Sequence, residues 1–216
     1  MRISELSSRT GVPLSAVKYY QREGLLPPGE KTAPNQVAYG EQHVQRVRLI
    51  RALLETGGLS IASTKRVIAA LDTDGTPMAE TFKIAQHALG AVRAPELSAP
   101  TELREQVIEL VRSRGWRVSD DNPGVGLAAR ALGALRAIGF DAEDGFLDAY
   151  AEAAATAAAA DLRALASRSA RDSTTELMVV GTVMGDPLFA GLRRLAQEDA
   201  THDLFPALER DENTDV

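Results

Sequence analysis

The sequence predicts a mainly α-helical protein with one short β-excursion. Apolar residues recur at helical spacing through most of the 216 residues. Residues 25–39 are the exception, because their prolines and glycine exclude a continuous helix. We therefore expect a helix-turn-helix with a short two-stranded wing, then a linker helix, and finally an all-α C-terminal domain.

Two short helices open the chain. The first is predicted over about 4–11, with Ser4 as its N-cap and Gly11 just past its end. The second is predicted over about 13–23, where Gly24 stops it. A glycine-containing turn of this length between two helices is typical of a helix-turn-helix.

The wing is followed by a second pair of helices. One is predicted over about 41–56 from the helical spacing of its apolar residues, and Gly57-Gly58 ends it. Ser60 is placed to cap the next helix, which runs to about residue 71. The front of the chain thus contains two helix-turn-helix units with a wing between them.

A fifth helix is expected to begin at Thr76 and Pro77 and to end before the prolines at 95 and 100. Its apolar residues are spaced by four, three, four and three positions, which is a coiled-coil seam. The seam consists of Met78, Phe82, Ala85, Leu89 and Val92. The spacing favours a dimerisation helix that Gly90 interrupts, and the alternative is a helix packed into the core of the same chain.

The rest of the chain is predicted to be helical. Asp141 and Asp144 have the spacing of a capping box at the start of one helix. The predicted helices span about 101–114, 124–138, 142–168, 173–184 and 187–199. The expected domains are 1–74 (winged helix), 75–95 (linker or dimerisation helix), 100–210 (helical effector or interaction domain) and 211–216 (acidic tail).

Composition excludes several classes of function. The chain has no cysteine and only three histidines, which lie far apart in sequence, so we expect no disulfide and no metal site. No nucleophile-and-base set and no glycine-rich phosphate loop is present, so we expect neither an enzyme nor a bound cofactor. Neither a membrane-length apolar run nor an apolar signal core is present. We expect a soluble, cytoplasmic protein associated with the nucleoid.

Charge is distributed unevenly along the chain. Overall the net charge is −6. Residues 1–71 hold ten Lys/Arg against five Asp/Glu, a net +5, while the remainder holds fourteen against twenty-five, a net −11. Such asymmetry indicates that the front of the chain meets a polyanion.

The second helix carries a polar face of suitable chemistry. Ser15, Lys18, Tyr19 and Arg22 lie at positions i, i+3, i+4 and i+7, which places them on one side of the helix. Their hydroxyls and cations match phosphate oxygens and base edges. Tyr20 belongs to another face that can pack inward. The alternative interpretation is an ordinary solvated helix face.

Short words in the sequence resemble the MerR family of DNA-binding transcription regulators. They are Thr10-Gly11-Val12, then Lys18-Tyr19-Tyr20-Gln21-Arg22-Glu23-Gly24-Leu25-Leu26, and later Val44-x-Arg46-Val47 and Gly58-Leu59-Ser60-Ile61. The family signature has a similar arginine-tyrosine-tyrosine block after a Thr-Gly-Val turn. The resemblance covers about residues 1–71.

The resemblance implies that the Tyr-Tyr helix enters the major groove and that the wing follows the DNA backbone. Lys18 takes the place of the family's arginine, and Ser15 lies in the base-facing part of the helix. The wing word Asn35-Gln36-Val37-Ala38-Tyr39 lacks the family's first tyrosine and its arginine, a loss for which Lys31 can compensate. The implied DNA-binding residues are Ser15, Lys18, Tyr19, Tyr20, Arg22, Lys31, Tyr39 and Arg46.

The resemblance also implies the partners. Family members bind pseudo-palindromic promoter DNA as homodimers, and many deform it so that RNA polymerase can engage. We expect a small molecule bound to the C-terminal domain to modulate this chain, and the alternative is a protein partner there. The aromatic and methionine residues of the rear half fit either a plain core or such a pocket.

Overall fold

The structure is a computed structural model that describes residues 1–34, 36–73, 77–92, 99–119, 121–140, 145–166 and 171–204. These residues form nine α-helices, one two-stranded hairpin and one π-helical turn, so the predicted mainly α fold class is confirmed. The helices are α1 (Ile3–Thr10), α2 (Leu14–Arg22), α3 (Glu41–Arg51), α4 (Ile61–Asp72), α5 (Met78–Val92), α6 (Thr101–Ser113), α7 (Pro123–Ala137), α8 (Phe146–Ala166) and α9 (Arg171–Leu204). The strands are β1 (Glu30–Ala33) and β2 (Gln36–Ala38).

The ends of the first helices follow from local chemistry. Gly11 ends α1 with a φ of 67°, a left-handed conformation that suits glycine. The predicted cap at Ser4 is wrong, because α1 begins at Ile3 and Arg2 holds the cap position without a side-chain bond. The cap at Ser60 is confirmed, since its side chain accepts a hydrogen bond from the Ser63 amide at 3.0 Å.

The expected wing is present as an antiparallel hairpin. Glu30 pairs with Ala38 and Lys31 with Val37, and the register shifts between Lys31 and Ala33. The strands are almost wholly exposed, as a wing that follows a duplex requires. The predicted wing residue Asn35 lies outside the described residues.

The third predicted helix has a different end from the one expected. Regular α-helix stops at Arg51, and Ala52–Thr56 continues as a π-helical turn in which the Gly57 amide bonds to the Ala52 carbonyl at 2.9 Å. Apolar periodicity does not distinguish the two helix types over a single turn. Leu53 in this turn is fully buried.

One continuous core joins the front helices to two helices behind them. It contains Leu6, Val17, Leu25, Val44 and Ile50 from the front, together with Ala85 and Leu89 of α5 and Val179 and Val183 of α9. The seam predicted on α5 therefore packs Ala85 and Leu89 inside this chain, which is the alternative interpretation of its spacing. The side chains of Met78 and Val92, like the cap at Thr76, lie outside the described residues.

The last two predicted helices are one helix. A break at residues 184–187 is wrong, because α9 runs through Pro187. Proline removes only one backbone donor, and α8 packs against α9 on both sides of it. Asp161 of α8 lies beside Gly185, and Tyr150 of α8 accepts a hydrogen bond from Arg193. This packing compensates for the lost backbone bond.

The remaining rear helices pack more loosely. Helices α6 and α7 share a small cluster of Leu103, Val107, Val125 and Ala129, separate from the main core. Asn122 caps α7 by accepting from the Gly124 amide at 2.8 Å. The capping box expected at Asp141 and Asp144 and the acidic tail lie outside the described residues. None of the described helices is long and apolar enough to cross a membrane.

Candidate nucleic-acid interface

Helix α2 presents a polar face held in place from below. Val17 is fully buried and fixes the helix on the core, while Ser15, Lys18 and Arg22 are exposed on the other side. Tyr19 is half-buried between the two faces. One accessible side of the helix therefore carries Ser15, Lys18 and Arg22, as their spacing predicts, and the half-buried Tyr19 lies at its edge.

Tyr19 and Arg22 support each other on this face. The Arg22 guanidinium carbon lies 5.8 Å from the centre of the Tyr19 ring, within the range of a cation–π contact. This contact holds the cation near the helix while leaving its N–H groups accessible. The arrangement suits a phosphate contact, which needs donors in a fixed direction.

Tyr20 is placed differently from a DNA contact. Its side chain is only 6% exposed and belongs to the main core. Burial, and secondly the nearby Glu55 carboxylate, raise the pKa of the Tyr20 phenol, while Arg51 acts in the opposite direction. The residue anchors α2, and we do not include it among the residues proposed to contact DNA.

Tyr39 joins the wing to helix α2. Its ring is buried edge-on against His43, with centroids 5.2 Å apart, and its hydroxyl accepts a hydrogen bond from Gln21 Nε2 at 3.0 Å. The backbone of Tyr39 also bonds to Met1 at 2.8 and 2.9 Å. Wing, N-terminus and α2 therefore form one unit, and Gln21 is a positioning residue that the sequence words did not reveal.

His43 has a similar structural role. The Gly40 amide donates to His43 Nδ1 at 3.0 Å, and His43 Nε2 lies 3.4 Å from the Pro28 carbonyl oxygen. The imidazole is almost completely buried. It thus joins the start of α3 to the segment that precedes the wing, and only the three-dimensional contact could have shown this.

The predicted cations differ in their availability. Arg46 is half-buried and paired with both carboxylate oxygens of Asp72, so a phosphate would have to compete for it. Lys18, Arg22 and Lys31 are exposed, and none of them has a carboxylate partner among the described residues. These three cations are therefore more accessible to an anion than Arg46 is.

A second candidate site lies outside helices α1–α4, among the helices that follow them. Helices α5, α7, α8 and α9 line a partly open cavity of about 570 Å³ with a mainly apolar lining. Asp161 and Asp186 are the acidic residues of its wall, beside Gln86 and Thr182. Met178 and Phe189 line it as well, whereas Trp116, Phe140 and Tyr150 are partly exposed and lie outside it. The volume is in the range of small-molecule sites.

The fold and exposed face of α1–α4 define a winged helix-turn-helix, a DNA-binding class of domain. The family model described as "MerR HTH family regulatory protein" matches residues 1–71. Residues 1–71 are therefore a MerR-family helix-turn-helix domain. That family consists of transcription regulators and not of enzymes, in agreement with the expectation from the sequence.

Individual relatives agree with this assignment. The mercuric resistance operon regulatory protein of Bacillus cereus is 32% identical over 73 residues, which cover 34% of this chain and 54% of the relative. The nodulation protein NolA of Bradyrhizobium elkanii is 43% identical over 56 residues, 26% of each chain. The chain thus spans about half the length of the first and a quarter of the second.

One solved structure is similar over nearly the whole chain. SCO5550 of Streptomyces coelicolor A3(2), a protein assigned as a transcriptional regulator, has 28% sequence identity and a TM-score of 0.68. The match covers 97% of this chain and 100% of that one. The similarity therefore includes the helices behind the DNA-binding domain.

Proposed function

We propose that this protein is a sequence-specific transcription regulator that binds a pseudo-palindromic promoter site as a homodimer. The observation that carries the proposal is a MerR-family domain in which helix α2, the proposed reading helix, and the wing present the exposed cations Lys18, Arg22 and Lys31. Lys18, Arg22 and Lys31 bind phosphates, and Ser15 reads base edges. Tyr20, Gln21 and Tyr39 position the helix and the wing.

The dimer contact is proposed on α9 and not on α5, because Ala85 and Leu89 of the α5 seam are buried in their own chain. Leu188, Leu192 and Leu195 lie at helical spacing on α9 and are 62, 57 and 64% exposed. Two copies of α9 running antiparallel about Leu192 would bring these leucines of the two copies together, which is a self-complementary contact.

The effector is proposed to bind in the cavity lined by helices α5, α7, α8 and α9. Its apolar wall favours an apolar organic molecule, and Asp161 favours a ligand with a cationic group. The alternative, a rear domain that binds another protein, is supported by the same exposed leucines of α9. The two candidates differ in whether the cavity takes up a small molecule.

A footprint on the DNA upstream of the protein's own gene tests the proposed DNA binding. Protection of a near-palindrome at low salt, with a dimeric mass in light scattering, is the expected result. A Leu192→Glu variant should become monomeric and lose the footprint while keeping its helical content. A chain that selects no site from random duplexes at low salt would contradict the proposal.

Binding of the neutral apolar dye Nile red tests the cavity. Saturable fluorescence enhancement that is lost in Ala158→Trp, a substitution in the cavity wall, supports a small-molecule site. A dye signal that does not respond to Ala158→Trp would contradict it. A monomer that takes up no dye but captures a defined protein from the same cells would favour the protein-partner alternative.

A further inference from the structure

Helix α9 has two opposite faces, and each touches a different part of the molecule. Met178, Gly181, Thr182 and Gly185 line the cavity. Four neighbours on the other side pack against the core of the DNA-binding domain: Val179, Val180, Val183 and Met184. The single helix α9 therefore separates the cavity from the DNA-binding domain.

The contact with the DNA-binding domain is made at a glycine. Gly57 has a φ of −75°, which any residue adopts, so its backbone does not require glycine. The space does, because an added Cβ would lie 2.1 Å from Val183 Cγ1 and 2.9 Å from the Leu53 carbonyl oxygen. Close approach of α9 to the turn at Ala52–Thr56 is thus the reason for the missing side chain.

Both sides of this contact depart from regular α-helical hydrogen bonding. Pro187 has no N–H, so the Val183 carbonyl lacks its usual partner four residues on, and Gly181 and Gly185 lower helix propensity in the same turns. On the other side, the π-helical turn replaces the regular α-helical bonds. Neither side of the contact is therefore held by an uninterrupted ladder of α-helical hydrogen bonds.

The π-helical turn shares the main buried core with helix α2. Glu55, within the turn, is paired with Arg51 at 2.6 Å and contributes to the raised pKa of the Tyr20 phenol. Tyr20 lies in α2, one residue from Tyr19 on the polar face. Tyr20 also shares the main buried core with Leu53 of the turn and with Val183 of α9, so packed side chains connect the cavity wall to α2.

We propose that α9 transmits occupancy of the cavity to the reading helix of the same chain, through the contact of Val183 with Gly57. The cavity as an effector site is taken from the proposed function above. The coupling itself is a separate claim: two sites share one helix that can move between two packings.

The coupling can be tested without knowing the effector. Gly181 lines the cavity and an added Cβ there meets no atom within 4 Å, so Gly181→Phe places a side chain in the cavity. Amide hydrogen exchange is measured on the full chain for segments 14–26 and 52–59. We expect exchange in both segments to change by about fivefold or more. Gly191→Phe, on the same helix but outside the cavity lining, is the matched control and should leave both segments unchanged.

A second experiment removes the contact between Val183 and Gly57. In a Gly57→Ala background, Gly181→Phe should no longer change exchange in segment 14–26, because the added methyl separates Val183 from the turn. Val183→Ala removes the same contact without a clash and should act alike, so a poorly folding Gly57→Ala chain does not prevent the test. Unchanged exchange in Gly181→Phe, or a change that persists in Val183→Ala, overturns the coupling. Failure of Nile red to bind would instead count against the effector site alone.

Discussion

The DNA-binding domain and the helices behind it differ in how tightly their side chains are packed. The front helices share one core with many fully buried side chains, including Leu6, Val17 and Leu53. In α6 and α7 the separate described cluster has four buried residues, and α8 is largely exposed. A domain that must hold a reading helix in fixed geometry needs the first kind of packing. A domain that closes around a ligand can use the second.

The largest expected effect separates these two kinds of packing directly. Leu53→Ala, which truncates a fully buried side chain of the π-helical turn, should lower the free energy of unfolding by about 4 kcal/mol, because the surrounding helices cannot close the cavity. Leu103→Ala, in the small cluster, is its matched control and should cost about 2 kcal/mol, since α6 and α7 can move together. Urea unfolding followed by circular dichroism measures both. Equal losses would mean that the two regions are packed alike.

The next effect concerns the charges of the front domain. Lys18→Ala should weaken binding to all duplexes, by up to about tenfold, and reduce the slope of log K against log salt by about 0.9. The matched variant is Arg46→Ala, because Arg46 already has Asp72 as a partner and should change the slope much less. Fluorescence anisotropy across a salt series measures both slopes. Equal changes would show that the ion pair with Asp72 opens on DNA.

Much of the front domain was predictable because its signals are local. The face of Ser15, Lys18 and Arg22 follows from helical spacing, and the wing follows from its proline and glycine content. The partners of Tyr39 and Arg46 were not predictable, because Gln21 and Asp72 approach them only after the chain has folded. Tyr20 shows the same limit, since a family word does not say which of two tyrosines is buried.

The rear was less predictable for a related reason. Its boundary signals suggested a helix break near Pro187, but packing of α8 keeps α9 continuous. The heptad spacing on α5 is equally suited to a second copy or to the chain's own core, and pairing with α4 and α9 decides which. Periodicity identifies an apolar face but not its neighbour.

A smaller effect distinguishes reading from binding within the front domain. Ser15→Ala should alter the preference at one base pair by about 1 kcal/mol and leave affinity for random duplexes nearly unchanged. Ser8→Ala, an exposed serine on α1 whose hydroxyl bonds only to the Ser4 carbonyl among the described residues, is the control. Competition binding with single-base variants of the selected site measures the preference. Loss of affinity on every duplex would make Ser15 a phosphate contact instead.

The smallest effect lies in the pH dependence of the front domain. Burial and Glu55 raise the pKa of the Tyr20 phenol in the folded chain above its value of about 10 in the unfolded chain. Above about pH 10 the folded protein therefore keeps this proton while the unfolded protein loses it. The contribution of Tyr20 to stability is fully present below about pH 10 and is lost as the pH rises through the folded pKa. Tyr20→Phe should lessen that alkaline loss and change the urea midpoint little at pH 7, where both states are protonated. Parallel curves of midpoint against pH for the two proteins would show that Tyr20 ionises as freely in the core as in the unfolded chain, and the anchoring role given to its burial would then fail.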